Sequence, residues 1–164
     1  MADSQGAGFS YAHPGLYEVQ NSAITSLEGL GEVSQIRPVL KGMVCSSCQR
    51  ISIPVQAYGC EGCGEVGKGL QPKDLEPMGE LLSYALVSKH HDKSITAPFT
   101  MAEIRLKEGP VIRAALEKDS YDSLDIGTWM EGIFIKYEVE AGKDNQEKTT
   151  QLELRFRPGS KTDA

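Results

Sequence analysis

Apolar and polar positions alternate with a period of two through most of the second half of the chain, the signature of strands with one buried face. Leu82, Tyr84 and Leu86 alternate with Ser83 and Ala85 and predict a first strand. Ala102, Ile104 and Leu106 against Glu103, Arg105 and Lys107 form the cleanest half-buried strand in the chain. Glu108-Gly109-Pro110 then turns it into a third, on which Ile112, Ala114 and Leu116 face one way. A polar loop containing Leu124-Asp125-Ile126-Gly127 leads to a long strand from Trp129 to Val139. Gly142 to Lys148 is a charged hairpin tip, and Leu152, Leu154 and Phe156 complete a fifth strand that Pro158 ends. Five strands of this length without long helices favour a small closed barrel over a sandwich, and a Greek-key OB-fold is the economical form.

The first half lacks that regularity. Residues 1–35 carry few large apolar side chains, among which two short groups stand out: Leu16-Tyr17-Val19, and Ile24-Leu27-Leu30, whose spacing of three fits a helix face that Leu30-Gly31 would end. No independent core can form there. The segment is either a loosely ordered tail or a short, partly helical arm that folds against the next unit or against another protein. Arg37-Pro38 starts an extended stretch, Ile51-Ser52-Ile53-Pro54-Val55 alternates as a short strand that Pro54 restricts to an edge, and Val66 to Leu70 predicts a third. Gln71-Pro72-Lys73 and Glu76-Pro77-Met78-Gly79 read as the hinge into the barrel. The expected division is an arm over residues 1–37, a small metal-bound unit over 38–72, the barrel over 73–158 and a tail over 159–164.

Four cysteines supply the candidate chemistry. Cys45-Ser46-Ser47-Cys48 and Cys60-Glu61-Gly62-Cys63 are all the cysteine in the chain, so none is left over. Two C-x-x-C pairs at this separation let two tight knuckles meet around one tetrahedral ion with thiolate at every position. The segment around them is too short to bury a useful core unaided, so a cross-link is expected. The pattern predicts a rubredoxin-like zinc ribbon with structural zinc on Cys45, Cys48, Cys60 and Cys63. Iron could occupy the same sulfur cage. Two disulfides would use the same residues but suit secreted chains, and a thioredoxin-like pair needs one C-x-x-C at a helix start. Four thiolates close the coordination shell and leave no place for a catalytic water.

Composition narrows the partners. The chain has 164 residues, 40% of them hydrophobic, and a net charge of −6. Its longest apolar runs are far too short to span a bilayer, so no membrane role is expected. Its first residues lack the basic and apolar regions of a secretory signal, and together with the cysteine usage this predicts a reducing cytoplasm. The charge is uneven: −4 over residues 1–35, +2 over 36–70 and −4 over 71–164. A nucleic-acid binder draws much of its affinity from neutralising phosphates. An OB protein that stacks single strands is therefore the rival reading, disfavoured because Tyr84, Phe99, Trp129, Tyr137 and Phe156 are not interleaved with basic clusters.

The order of ribbon, short hinge and barrel, from about Lys41 to Pro158, resembles the acyl-CoA-associated zinc-ribbon and OB-fold family, first catalogued as a domain of unknown function. The resemblance rests on the two knuckles, Glu80-Leu81-Leu82-Ser83-Tyr84, Pro98-Phe99, Lys107-Glu108-Gly109-Pro110, Leu124-Asp125-Ile126-Gly127 and Phe156-Arg157-Pro158. The chain departs from the family in having Gln49 where glycine usually follows the first knuckle, Glu61 where proline is frequent, and only Pro54 from a proline-rich inter-knuckle stretch. The resemblance implies a non-catalytic subunit of a thiolase-type or aldolase complex, a hetero-oligomer in which ribbon and barrel dock the catalytic subunit and help hold a CoA thioester. The narrower implication is the small zinc-finger subunit of a thiolase such as benzoylsuccinyl-CoA thiolase. A pure scaffold that never touches CoA is the other form of that role.

The residues themselves agree with an accessory part. A thiolase needs a cysteine nucleophile and an acid-base partner, and every thiol here is committed to metal. His13 sits in the arm and His90-His91 on a polar loop, where a solvated pair is the simpler reading. Binding CoA asks for cations near the phosphates and an apolar groove for the pantetheine arm. Arg37, Lys41, Arg50 and Lys68 are the candidates for the cations, and Phe99 and Trp129 for the groove or the partner interface. Solvated surface charges and ordinary barrel packing are the competing explanations for these six.

Overall fold

A computed structural model describes residues 9–13, 15–19, 36–56, 58–91, 96–140 and 148–160. Its regular elements are strands apart from a 3-10 turn at Gly67–Gly69. The arm contributes β1 (Phe9–Tyr11) and β2 (Tyr17–Val19). The ribbon contributes β3 (Pro38–Cys45), β4 (Ile51–Ser52) and β5 (Leu70–Leu75). The barrel is β6 (Met78–Val87), β7 (Phe99–Leu106), β8 (Val111–Ala115), β9 (Trp129–Glu140) and β10 (Lys148–Pro158).

The barrel strands run in the order β10-β9-β6-β7-β8. Leu116, just past β8, bridges in parallel to Phe156 of β10 and closes the curled sheet. Third and fifth strands parallel, the rest antiparallel, is the Greek-key connectivity of an OB-fold. The alternation in β7 is borne out: Ala102, Ile104 and Leu106 are buried, and Leu116, Leu152, Leu154 and Phe156 meet them from the neighbouring strands.

Three expectations need correction. In β6 the inward residue is Leu81, and a bulge between Leu81 and Ser83 switches the faces of everything after it. Tyr84 and Leu86 consequently share the face of Ala102 and Thr100. They stand 37% and 52% exposed, because β9 accompanies β6 only over Met78–Glu80. The third ribbon strand lies later than the pattern predicted. Gln71, Pro72 and Lys73 pair with Val44, Met43 and Gly42, so they are strand and not hinge. Pro72 is tolerated there because β5 pairs with β3 alone. Only Glu76-Pro77 separates β5 from β6. Finally, β4 stops at Ser52, short of the predicted Val55.

The arm is not a free tail where it is described. β1 adds in parallel to β10 of the barrel and β2 adds antiparallel to β3 of the ribbon. Tyr17 is 2% exposed, donates its hydroxyl to the Leu152 carbonyl at 3.3 Å and sets its ring 5.7 Å from that of Phe134. Tyr17, Ile36, Leu40 and Leu75 join the barrel residues in one continuous core. The helix expected at Ile24, Leu27 and Leu30 lies outside the described residues, as do most of the Gly142 to Lys148 tip and the last four residues of the tail. No helix among the described residues is long and apolar enough to cross a membrane.

Candidate metal centre

β3 delivers Cys45 to the far end of the ribbon, and the chain reverses there twice. In the first knuckle the Cys45 amide donates to the Arg50 carbonyl at 2.9 Å and the Gln49 amide to the Cys45 carbonyl at 2.8 Å. The second repeats the design, Cys60 amide to Glu65 carbonyl at 2.8 Å and Gly64 amide to Cys60 carbonyl at 2.9 Å. Each turn closes through a left-handed residue, Gln49 at φ +61° and Gly64 at φ +78°. Gln49 thus takes a conformation that glycine adopts without strain, and its Nε2 donates to the Ser46 carbonyl at 2.9 Å.

The four sulfurs converge. Cys45 and Cys63 Sγ are 3.6 Å apart, Cys48 and Cys60 Sγ 3.5 Å, and all four lie within 4.8 Å of one another. A tetrahedral ion with metal–sulfur bonds of about 2.3 Å sets neighbouring sulfurs about 3.8 Å apart, whereas a disulfide needs about 2.05 Å. All four are free thiols, so the disulfide reading is set aside. The electrostatics fit a cation. The amides of Gly62 and Cys63 pull the Cys60 thiol down to about 7. Cys63 is lowered by the Glu65 amide, but the crowding sulfurs of Cys48 and Cys45 outweigh it and push Cys63 up to about 12. Cys48 is lowered by the Arg50 amide, yet Cys60 and Cys45 leave it above the ordinary thiol value. So many sulfurs in one cage resist joint ionisation unless a soft cation such as zinc neutralises them. An ion held by all four sulfurs would have a complete shell, with no open position for substrate.

Polar contacts tie the knuckles together outside the cage. Ser47 Oγ donates to Glu65 Oε2 at 2.5 Å, and Arg50 lies 3.5 Å from Glu61. Ser47 and the Val66 amide hold the Glu65 carboxyl below the usual carboxylate range. Neither Ser47 nor Glu65 stood out in the sequence, because nothing in knuckle spacing singles out a polar residue inside or just after the C-x-x-C pairs.

The other predicted residues are dispersed. Arg37 is exposed at the barrel end of β3, while Arg50 and Lys68 are exposed at its metal end. Lys41, midway, sits between Glu18 and Asp74, with Asp74 at 2.8 Å. Burial disfavours its charge, but the bonds to Asp74 and Glu18 more than offset this and lift it above the usual lysine value. Arg37 and Lys68 make no ion pair among the described residues. Phe99 and Trp129 are both half-buried but lie at opposite ends of β6, paired beside Val87 and Glu80. His90 and His91 stack with ring centroids 4.5 Å apart on the loop after β6, and His90 is 6.1 Å from Phe99.

No family model matches the chain. A DUF35 domain-containing scaffold protein from Methanothermobacter thermautotrophicus is 28% identical to it over 106 residues, 64% of this chain and 77% of the relative. The chain is thus similar to a DUF35 scaffold protein. A solved structure, the Ltp2-ChsH2(DUF35) aldolase, aligns with 70% of this chain and 83% of its own at a TM-score of 0.46 and 19% identity. The family resemblance read from the motifs is borne out by the DUF35 scaffold relative.

Proposed function

We propose that the chain is the non-catalytic, zinc-binding subunit of a cytoplasmic thiolase-type acyl-CoA enzyme, docking the catalytic subunit and helping to hold the CoA thioester. The observation that carries this reading is the convergence of every cysteine of the chain into one closed sulfur cage. No thiol remains for acyl transfer, so the bond-making nucleophile belongs to another polypeptide. The scaffold name of the DUF35 relative supports an accessory part. Exposed apolar side chains at the metal end of the ribbon, Val55, Tyr58 and Val66, with Tyr58 96% exposed, support docking through that end.

A pull-down from native extract with the tagged chain, with retained proteins identified by mass spectrometry, tests the reading. Recovery of a thiolase-type enzyme supports it; recovery of no acyl-CoA enzyme overturns it. Elemental analysis of the purified chain decides zinc against iron. The isolated chain should cleave no acyl-CoA, and thiolysis in a partner-free preparation would end the accessory assignment.

A specific observation favours a second form of the role, the scaffold without CoA contact. Lys41 is neutralised by Glu18 and Asp74, Arg50 is paired with Glu61, and Arg37 and Lys68 sit at opposite ends of the ribbon. Titrating CoA against the catalytic subunit with and without this chain separates the two. An affinity unchanged by the chain selects the scaffold.

A further inference from the structure

Glu65 occupies a position that the cysteine pattern does not explain. Its carbonyl accepts the Cys60 amide at 2.8 Å, and its own amide is hydrogen-bonded to the Cys63 sulfur. Its side chain reaches out of the second knuckle to the first, accepting Ser47 Oγ at 2.5 Å through one oxygen and the Val66 amide at 3.1 Å through the other. The 3-10 turn then folds back over it. Gly69 O accepts the Ser46 amide at 2.8 Å, and a Cβ at Gly69 would lie 2.3 Å from Glu65 Cγ. One residue therefore touches both ligands of its own knuckle and clasps the other knuckle. The other side-chain link between the knuckles among the described residues, Arg50 to Glu61 at 3.5 Å, is looser.

The geometry points to a polar latch, Ser47 on Glu65 beneath Gly69, that positions the second knuckle against the first and sets how tightly the cage retains its metal. This rests on the reading of the four cysteines as a metal site. Ser47 and Glu65 are positioning residues: neither supplies a ligand atom, and they act through Cys60 and Cys63. A hydroxyl donating to a carboxylate is among the stronger hydrogen bonds. Polar partners of metal ligands are typically worth about 10–100-fold in metal affinity.

The test is the rate at which the full-length, zinc-loaded chain surrenders zinc to an excess of a chromogenic chelator. Ser47→Ala and Glu65→Ala should each release zinc about tenfold faster than the parent. The double variant should be no faster than the worse single, because both remove the same bond. Ser47→Thr, which keeps the hydroxyl, should restore slow release, and Glu61→Gln should leave it within about threefold, since Arg50 and Glu61 approach only to 3.5 Å and such a surface pair contributes little. Thermal melting of the barrel reports whether the variants stay folded, and Ser47 is exposed, so its truncation leaves the core intact. Release rates of both single variants within about threefold of the parent, or fully multiplicative effects in the double, would overturn the latch. A parent chain that takes up no zinc overturns the metal site itself and the latch with it.

Discussion

Exchanging the residue that closes each knuckle turns one kind of backbone angle into two different expectations. Gly64 stands at φ +78°, and a Cβ added there would meet no atom within 4 Å, so Gly64→Ala perturbs the backbone alone. A left-handed conformation costs a residue with a Cβ roughly 1–2 kcal/mol. The stiffer unfolded chain returns about 0.4–1 kcal/mol, which leaves a net loss of about 1 kcal/mol. Gln49 carries the same strain in the first knuckle, at φ +61°. Gln49→Gly relieves it but forfeits the unfolded-state gain and the exposed amide bond to the Ser46 carbonyl, about 0.5 kcal/mol at its low end. The sum falls within about 0.5 kcal/mol of neutral. Gln49→Ala keeps the strain and loses the bond, so it should fall about 0.5 kcal/mol below the parent. Guanidinium unfolding of the four proteins at one fixed free-zinc concentration ranks them, since bound metal shifts apparent stability. The expected order puts the parent and Gln49→Gly together, with Gln49→Ala and Gly64→Ala below. A Gly64→Ala protein as stable as the parent refutes the strain argument for both knuckles.

Other substitutions probe the cage, the barrel and the arm. Cys60→Ser should reduce bound zinc measured by elemental analysis to near zero and abolish recovery of the catalytic subunit proposed above; a complex that survives counts against docking through the ribbon. Gly79→Ala forces a Cβ to 2.1 Å from the Arg105 carbonyl oxygen at the β6–β7 pairing, and thermal melting should register a loss of about 3 kcal/mol. Tyr17→Ala should cost about 3–5 kcal/mol in denaturant unfolding, as for other buried aromatics. Tyr17→Phe should cost under about 1 kcal/mol, because the Leu152 carbonyl also accepts the Ala12 amide at 3.0 Å and remains satisfied.

The barrel was legible wherever one face is buried along a whole strand. Ala102-Ile104-Leu106 and Leu152-Leu154-Phe156 sit opposite each other inside a closed sheet, so the period of two survives in the sequence. β6 misled because a single extra residue after Leu81 reverses the faces, and no residue type announces such a bulge. β5 was hidden because an edge strand on a ribbon buries only Leu75 among its six residues, leaving Gln71-Pro72-Lys73 to read as linker. The cage was legible because tetrahedral coordination constrains spacing, while the Glu65 contacts depend on how the two knuckles meet in space. Leu16-Tyr17-Val19 was visible as an apolar group, but its β-pairing to the ribbon depends on β3, where Tyr17 meets Leu40 and Val19 meets Pro38 across a long stretch of chain.

That pairing changes what metal removal should do. A ribbon isolated behind a hinge would unfold entirely when its ion is stripped. Here the base of the ribbon belongs to the barrel's core. Tyr17, Leu40 and Leu75 are buried in one cluster with Leu81, Phe134 and Leu152, and each contributes roughly 1.5–3 kcal/mol of burial that owes nothing to zinc. The six β3–β5 pairs, from Leu40–Leu75 to Cys45–Leu70, run continuously from that core to the cage. Chelation should therefore loosen the knuckles and spare the base. Hydrogen–deuterium exchange after treatment with a strong chelator should show protection lost over residues 45–69 and retained at Leu40, Lys41, Asp74 and Leu75. Loss of protection along all of β3 and β5 would show that the ion, and not the shared core, holds the ribbon to the barrel.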